Sequence, residues 1–235
     1  MNIDVALNPA EIARLPQRDL SQTTCIVFDI LRATSSMITA LAHGAKEILP
    51  ARTIDEAREL RAEFPRALLG GERDGERIDG FDLGNSPFEY RKLAQAQIIT
   101  TTTNGTIALR ACEHAARVLV GALLNLGSLL EELRWDEPPN VLLVCAGTFE
   151  EFALEDAFAA GLLIAEFGDA ALTDSARAAL AVAKSFPTSL DALTASRNGR
   201  ALAAKGRSAE VEWCAQISRY SVAGLMDGGI IRPLI

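Results

Sequence analysis

Within eight residues the sequence places an acid, an arginine and three hydroxyl side chains, Asp29-Ile30-Leu31-Arg32-Ala33-Thr34-Ser35-Ser36. The apolar run ending at Phe28 precedes them, so the set stands where a strand gives way to a helix. A helix N-terminus offers unpaired N–H groups and a dipole that favours anions, which makes this corner suited to phosphate and metal chemistry. Asp29 could bind Mg2+ or attack phosphorus, Arg32 could fork onto phosphate oxygens, and Thr34 and Ser35 could donate further hydrogen bonds. A structural reading fits the same residues: Asp29 as a loop acid paired with Arg32, and Thr34 or Ser35 as a helix cap.

Three more segments collect polar groups. Gly70-Gly71-Glu72-Arg73, followed by Gly80-Phe81-Asp82-Leu83-Gly84-Asn85-Ser86-Pro87, offers Glu72, Arg73, Asp82, Asn85 and Ser86 in a loop whose glycines permit close approach to a ligand. A turn at Asp79-Gly80 and a helix start at Ser86-Pro87 would explain the glycines, but not the density of polar groups. In Thr100-Thr101-Thr102-Thr103-Asn104-Gly105-Thr106 a β-favouring run meets a helix start. Thr102, Thr103, Asn104 and Gly105 could hold an anion through hydroxyl and backbone N–H groups, whereas a plain strand with an Asn104 cap is the simpler account. No Walker A loop and no GxGxxG fingerprint is present. The fourth segment, Cys145 to Asp156, spaces Glu151 and Glu155 for one helical face with Asp156 beside them. Such acids attract a cation, and they equally stabilise a first helical turn. His43 and His114 are the only histidines and sit in helix-like settings as surface residues, so oxygen ligands and Mg2+ or Mn2+ are expected rather than zinc.

These residues need elements to position them. Strands are expected at 24–30, 47–51, 67–70, 97–101, 117–121, 140–145 and 230–235, alternating with helices at 34–42, 54–64, 87–94, 105–113, 127–134 and 150–167. The alternation predicts a three-layer α/β fold, a largely parallel or mixed sheet with helices on both faces. From Leu172 onward helices dominate, at 174–185, 189–195, 197–204 and 209–219. The expected division is an α/β catalytic region, 1–168, and a helical region, 169–235, packed on it without a linker and so compatible with one domain.

Composition narrows the partners. A net charge of -8 opposes broad attraction to nucleic acid or anionic membranes, although a local cationic pocket is compatible with it. Cys25, Cys112, Cys145 and Cys214 are widely spaced without a CxxC pair, the pattern of reduced, buried thiols in a cytoplasmic protein. Residues 1–20 carry charges and no apolar leader segment, and no run is long enough to span a bilayer. A homodimer would give the apolar helices after Ala170 a partner.

Taken in this order, the stretches Asp29-Ile30-Leu31-Arg32-Ala33-Thr34-Ser35, Gly70-Gly71-Glu72-Arg73, Gly80 to Pro87, Thr101 to Thr106 and Ala146 to Asp156 resemble the 2-phosphosulfolactate phosphatase family. The likeness runs from about Asp4 to Gly161. Beyond it, it thins to Ser196-Arg197-Asn198-Gly199, and Glu210 and Glu212 stand near a position where the family pattern would have an aspartate. The resemblance implies Mg2+-dependent hydrolysis of 2-phospho-3-sulfolactate to 3-sulfolactate and phosphate, a step toward coenzyme M, or action on a related 2-hydroxyacid phosphate. It also implies a small anionic substrate. On the residues, Asp29, Arg32, Glu72 and Asp82 are expected as the catalytic set, and Asp29 with one or more of Glu72, Asp82, Glu155 and Asp156 around the metal, Asp29, Glu155 and Asp156 foremost. Water activated by the metal is the favoured nucleophile and an aspartyl-phosphate on Asp29 the alternative, since a dehalogenase-type second aspartate is missing. Two other classes fit the same residues: a metal-assisted lyase or isomerase on a phosphorylated acid, and a noncatalytic anion-binding protein.

Overall fold

A computed structural model describes residues 1–234 of the chain. Its strands are β1 (Asn2–Ala6), β2 (Thr23–Phe28), β3 (Glu47–Pro50), β4 (Leu68–Arg73), β5 (Glu76–Arg77), β6 (Gln97–Thr101), β7 (Arg117–Gly121), β8 (Asn140–Cys145), β9 (Ala171–Leu172), β10 (Ala223–Asp227) and β11 (Ile230–Leu234). Its α-helices are α1 (Pro9–Ile12), α2 (Ala33–Ala42), α3 (Ile54–Glu63), α4 (Gly105–Ala111), α5 (Leu126–Asp136), α6 (Leu154–Ala165), α7 (Asp174–Lys184), α8 (Ser189–Ala195), α9 (Arg197–Ala204) and α10 (Ser208–Cys214). Residue 235, the expected end of the last strand, lies outside the described residues.

All eleven strands join one sheet in the order β5-β4-β6-β3-β11-β10-β7-β2-β8-β1-β9. Two runs are parallel: β4-β6-β3 on one side and β7-β2-β8-β1-β9 on the other. The β10–β11 hairpin separates them, antiparallel to β7 on one edge and touching β3 on the other through the single pair Ile231 and Ile48. Its turn is Gly228-Gly229, with φ of 55° and 77°, a conformation that glycine adopts without steric cost.

Strand alternation decides what each face meets. Ile26 and Phe28 of β2, with Val141 and Leu143 of β8, pack against α5, α6 and α7, while Cys25, Val27, Leu142 and Val144 face α2 and α4. Ile48 and Ile98 join this second cluster from the other half, and Leu49 and Ile99 turn away toward α3. Helices α2 and α4 are therefore held between the two half-sheets. The sheet bends round them and brings the carboxyl ends of β2 and β8 to those of β4 and β6. Helices cover both faces, as the alternation predicted. Among the described residues no helix is long and apolar enough to cross a membrane.

Some elements differ from expectation. Residues 87–94 form only a 3-10 turn, Pro87–Tyr90, in place of a helix. Helix α3 is capped by the Thr53 hydroxyl, which accepts from the Glu56 N–H. The segment Gly70–Arg73 is strand, not loop, because β4 continues along β6 to the pair Gly71 and Thr101. Gly71 makes this approach possible: its φ is 136°, and a Cβ there would lie 1.9 Å from the Thr101 carbonyl oxygen. Helix α6 begins at Leu154 rather than residue 150, since Thr148 and Glu151 exchange backbone hydrogen bonds in a tight turn. Strands β1, β5, β9 and β10 and the short helix α1 have no counterpart among the expected elements. All four cysteines are buried and free.

Candidate active site

The carboxyl ends of the four converging strands line a cavity of about 180 Å³. Asp29 and Arg32 reach it from β2, Glu72 from β4, Thr103 and Asn104 from β6, and Gly147 and Thr148 from β8. Asn198, Leu202 and Lys205 of the α9 segment close the opposite wall.

Asp29 sits where two helices start. Its Oδ1 accepts the Ala33 N–H at 3.0 Å, and the Gly105 N–H supplies a second backbone contact. Gly105 crosses the carboxylate so closely that a Cβ would stand 2.6 Å from Asp29 Oδ2. Burial, followed by the charges of Glu72 and Glu155, raises the Asp29 carboxyl to about 7, against the pull of those backbone donors. Behind it, Glu155 and Asp156 are buried on the first turn of α6. The Asp156 oxygens accept the N–H groups of Ile30 at 2.8 Å and Gly147 at 3.1 Å, tying the ends of β2 and β8 together. Glu155 accepts from Asn198 Nδ2 at 2.6 Å, and the same amide nitrogen reaches Thr148 Oγ1 at 2.6 Å. Burial pushes both acids up, Asp156 also through the charges of Glu155 and Asp29.

Glu72 is held from three directions. Its Oε1 accepts the Thr103 N–H at 2.8 Å and hydroxyl at 2.9 Å, and its Oε2 accepts the Gly75 N–H at 2.8 Å. Arg32 is buried, donates to the Gly75 carbonyl at 3.2 Å and is paired with the Glu210 carboxylate on α10. The helical region thus contributes Asn198 and Glu210 to the site.

Several of the expected residues stand elsewhere. Arg73 turns from the cavity and donates to the Glu72 carbonyl at 2.7 Å and Thr101 Oγ1 at 2.9 Å, because alternation along β4 sends it to the opposite side from Glu72. Asp82 accepts the Leu69 N–H at 2.9 Å and continues the edge of β4. Thr34 binds the backbone of Asp29, Ser35 the Ile30 carbonyl, and Thr102 exchanges side-chain to backbone hydrogen bonds with Thr106. These hydroxyls shape the loops and do not face the cavity. Asn104 donates to the carbonyls of Ala146 and Phe149 at 3.0 and 2.8 Å, joining the β6 and β8 loops. Asn85 lines both this cavity and a neighbouring one, and Ser86 lines only the latter. Glu151 is not on the Glu155 face, being in the turn before α6 and paired with Arg197. His114 is exposed, and His43 meets Tyr220 away from the cavity.

Asn198, Glu210 and Lys205 were missed as site residues. The Ser196-Arg197-Asn198-Gly199 stretch carried a signal: Ser196 caps α9 through the Gly199 N–H, which aims Asn198 inward. Glu210 carried only its nearness, with Glu212, to an aspartate position of the family pattern, and Lys205 lay in helix-period sequence with nothing to separate it from surface charges.

The profile of the 2-phosphosulpholactate phosphatase family matches residues 10–229. A probable 2-phosphosulfolactate phosphatase of Pseudothermotoga lettingae is 38% identical over 214 residues, covering 90% of this chain and 93% of the relative. The protein of the same description from Carboxydothermus hydrogenoformans is 37% identical, covering 94% and 92%, and that from Deinococcus radiodurans 40% identical, covering 82% and 83%. With matches of this extent spanning the strands, the cavity and the closing helices alike, the chain belongs to the 2-phosphosulfolactate phosphatase family of phosphoric monoester hydrolases.

Proposed function

We propose that this chain is a Mg2+-dependent phosphatase that hydrolyses 2-phosphosulfolactate, or a closely related 2-hydroxyacid phosphate, to the hydroxyacid and inorganic phosphate. One observation carries the reading: acids at the floor of the cavity, Asp29 and Glu72 with Glu155 behind, meet the buried Arg32 where four strands end. The donor set fits a hard cation, because the cavity offers carboxylate oxygens and neither imidazole nor thiolate. Among the described residues no three such groups form a ready-made ligand cluster. Mg2+ tolerates that, since it keeps several waters and takes one or two carboxylates. Asp29 and Glu155 would hold it, with Asp156 fixing the strand ends beneath them. Such an ion neutralises phosphate charge and lowers the pKa of bound water.

The chain supplies the rest. Arg32, fixed by Glu210 and the Gly75 carbonyl, orients the phosphate. A water attacks phosphorus as the ester P–O bond breaks; one of its protons stays on the released phosphate and the other, carried through solvent, ends on the departing hydroxyacid oxygen. Asp29 and Glu155, the acids that would hold the cation, stand where they fix the position of that water against the phosphate. Glu72 keeps the Thr103 and Gly75 backbones at the rim in place. Four buried, unpaired cysteines support a reducing, cytoplasmic setting.

The test is phosphate release by purified protein from 2-phosphosulfolactate and 2-phospholactate, in EDTA and after adding Mg2+. Release that Mg2+ restores, and that Asp29→Asn lowers by at least a hundredfold, is expected. Absence of release from either substrate with Mg2+ present would overturn the phosphatase reading.

A further inference from the structure

The cavity is lined by Arg32 and Lys205 as well as by the acids Asp29, Glu72 and Asp74, and Arg207 and Glu76 line the neighbouring cavity that shares Arg32 and Gly75 with it. Lys205, just past α9, lines the same cavity as Asp29 and Glu72, and its Nζ stands 2.7 Å from Glu76 Oε1. Arg207 holds the other oxygen of Glu76 at 3.1 Å and donates to the Gly75 carbonyl, also at 3.1 Å. Arg32 donates to that same carbonyl at 3.2 Å. Three cationic side chains therefore surround one peptide at the turn between β4 and β5, and the hydrolytic step uses only Arg32.

Stability does not account for the other two. The Lys205 side chain is 44% exposed, Arg207 31% and their shared partner Glu76 57%. Exposed ion pairs of this kind contribute little to folding. Glu76 lies on a two-residue strand at the edge of the sheet, so its carboxylate can leave without disturbing a ladder. A doubly held carboxylate on such an edge occupies the position that a ligand anion would take.

We infer that Lys205 and Arg207 bind the sulfonate of the substrate, displacing the Glu76 carboxylate, while the phosphate lies between Arg32 and Asp29. This assignment rests on the proposed phosphatase reading and adds to it the part of the site that selects the distal anion.

Steady-state kinetics with two substrates test it, 2-phosphosulfolactate and 2-phospholactate, the second lacking the sulfonate. Lys205→Ala and Arg207→Ala should each raise KM for the sulfonate substrate about tenfold with kcat within about threefold, and change kcat/KM for phospholactate by less than threefold. Lys205→Arg should recover most of the lost KM, and Glu76→Gln should lower KM for the sulfonate substrate. Equal effects of the alanine variants on both substrates, or no effect on either, overturn the sulfonate assignment and leave the phosphatase reading intact. Failure of the unsubstituted protein to release phosphate from both substrates overturns the phosphatase reading and the assignment with it.

Discussion

Gly105→Ala is the sharpest probe of how α4 and Asp29 depend on each other. The added methyl would lie 2.6 Å from Asp29 Oδ2, 2.8 Å from Ala33 Cβ and 3.0 Å from Asp29 Cβ. Ordinary contact begins near 3.4 Å, so the carboxylate and the start of α4 must separate by about 0.8 Å. Neither side moves freely. Asp29 is pinned at the end of β2 by Ala33 N–H and Thr34, and α4 is wedged between β2 of one half-sheet and β3 of the other. A displacement of this size at a reacting group costs roughly a hundredfold in rate. Overpacking a tight site costs about 1–3 kcal/mol of stability, or roughly 2–10 °C in Tm for a chain of this size. The assay is kcat/KM for phosphate release at saturating Mg2+, with thermal unfolding on the same samples. A folded Gly105→Ala protein with kcat/KM within threefold of the parent would refute the argument that Asp29 must hold this position. Gly168→Ala, which meets nothing within 4 Å, is the matched control and should leave activity unchanged.

Three further outcomes follow from the geometry. Glu210→Ala leaves the buried Arg32 without its carboxylate and should destabilise the protein by about 3–5 kcal/mol in denaturant titrations, whereas Glu210→Asp should retain part of that stability. Asn198→Ala removes the donor shared by Glu155 and Thr148; with Glu155 less well held, the Mg2+ concentration giving half-maximal activity should rise several-fold, and an unchanged metal dependence would contradict the placement of Glu155 near the cation. The third concerns pH. Because the folded Asp29 carboxyl lies near 7 and its ordinary value is 3.8, its contribution to stability is complete below about pH 4 and is lost as pH rises toward 7. In chelator, the Tm advantage of the parent over Asp29→Asn should therefore shrink between pH 4 and 7, and Mg2+ should raise the parent's Tm more at pH 8 than at pH 5; differential scanning fluorimetry reads both.

Much of the fold was legible because periodicity is a local property. Thr23–Phe28 and Asn140–Cys145 are apolar on both faces, as strands covered by helices on each side must be, and Arg117–Gly121, Ser189–Ala195 and Arg197–Ala204 end where their patterns end. The chain gave weaker signals where pairing rather than pattern makes the strand. Asn2–Ala6 is short and carries Asp4, Ala171–Leu172 has two residues, and Ala223–Asp227 contains a glycine and an acid, so each exists through its neighbours in the sheet.

The cavity shows the same division. Asp29, Arg32 and Asn104 follow strands and announced themselves by type and place, and Glu72 stands at the end of one. Glu151 was misplaced because spacing of four carries meaning only if the helix has begun, and the Thr148 turn delays it. Arg73 and Asp82 looked equivalent to Glu72 as polar loop residues, but strand alternation and an edge hydrogen bond send them elsewhere. Glu210 lies 178 residues from Arg32, and no local pattern expresses such a pairing.

The hairpin of residues 223–234 has a consequence for how the molecule is made. Until it arrives, β3 and β7 each present an unpaired edge to solvent, and open edges of this sort recruit other chains. During synthesis the two half-sheets remain in that condition until residues 223–234 have been added and paired. Closure of the sheet thus depends on a pairing made by residues far along the chain from β3 and β7: a variant cut after α10 leaves both edges open, the condition in which partly folded chains associate.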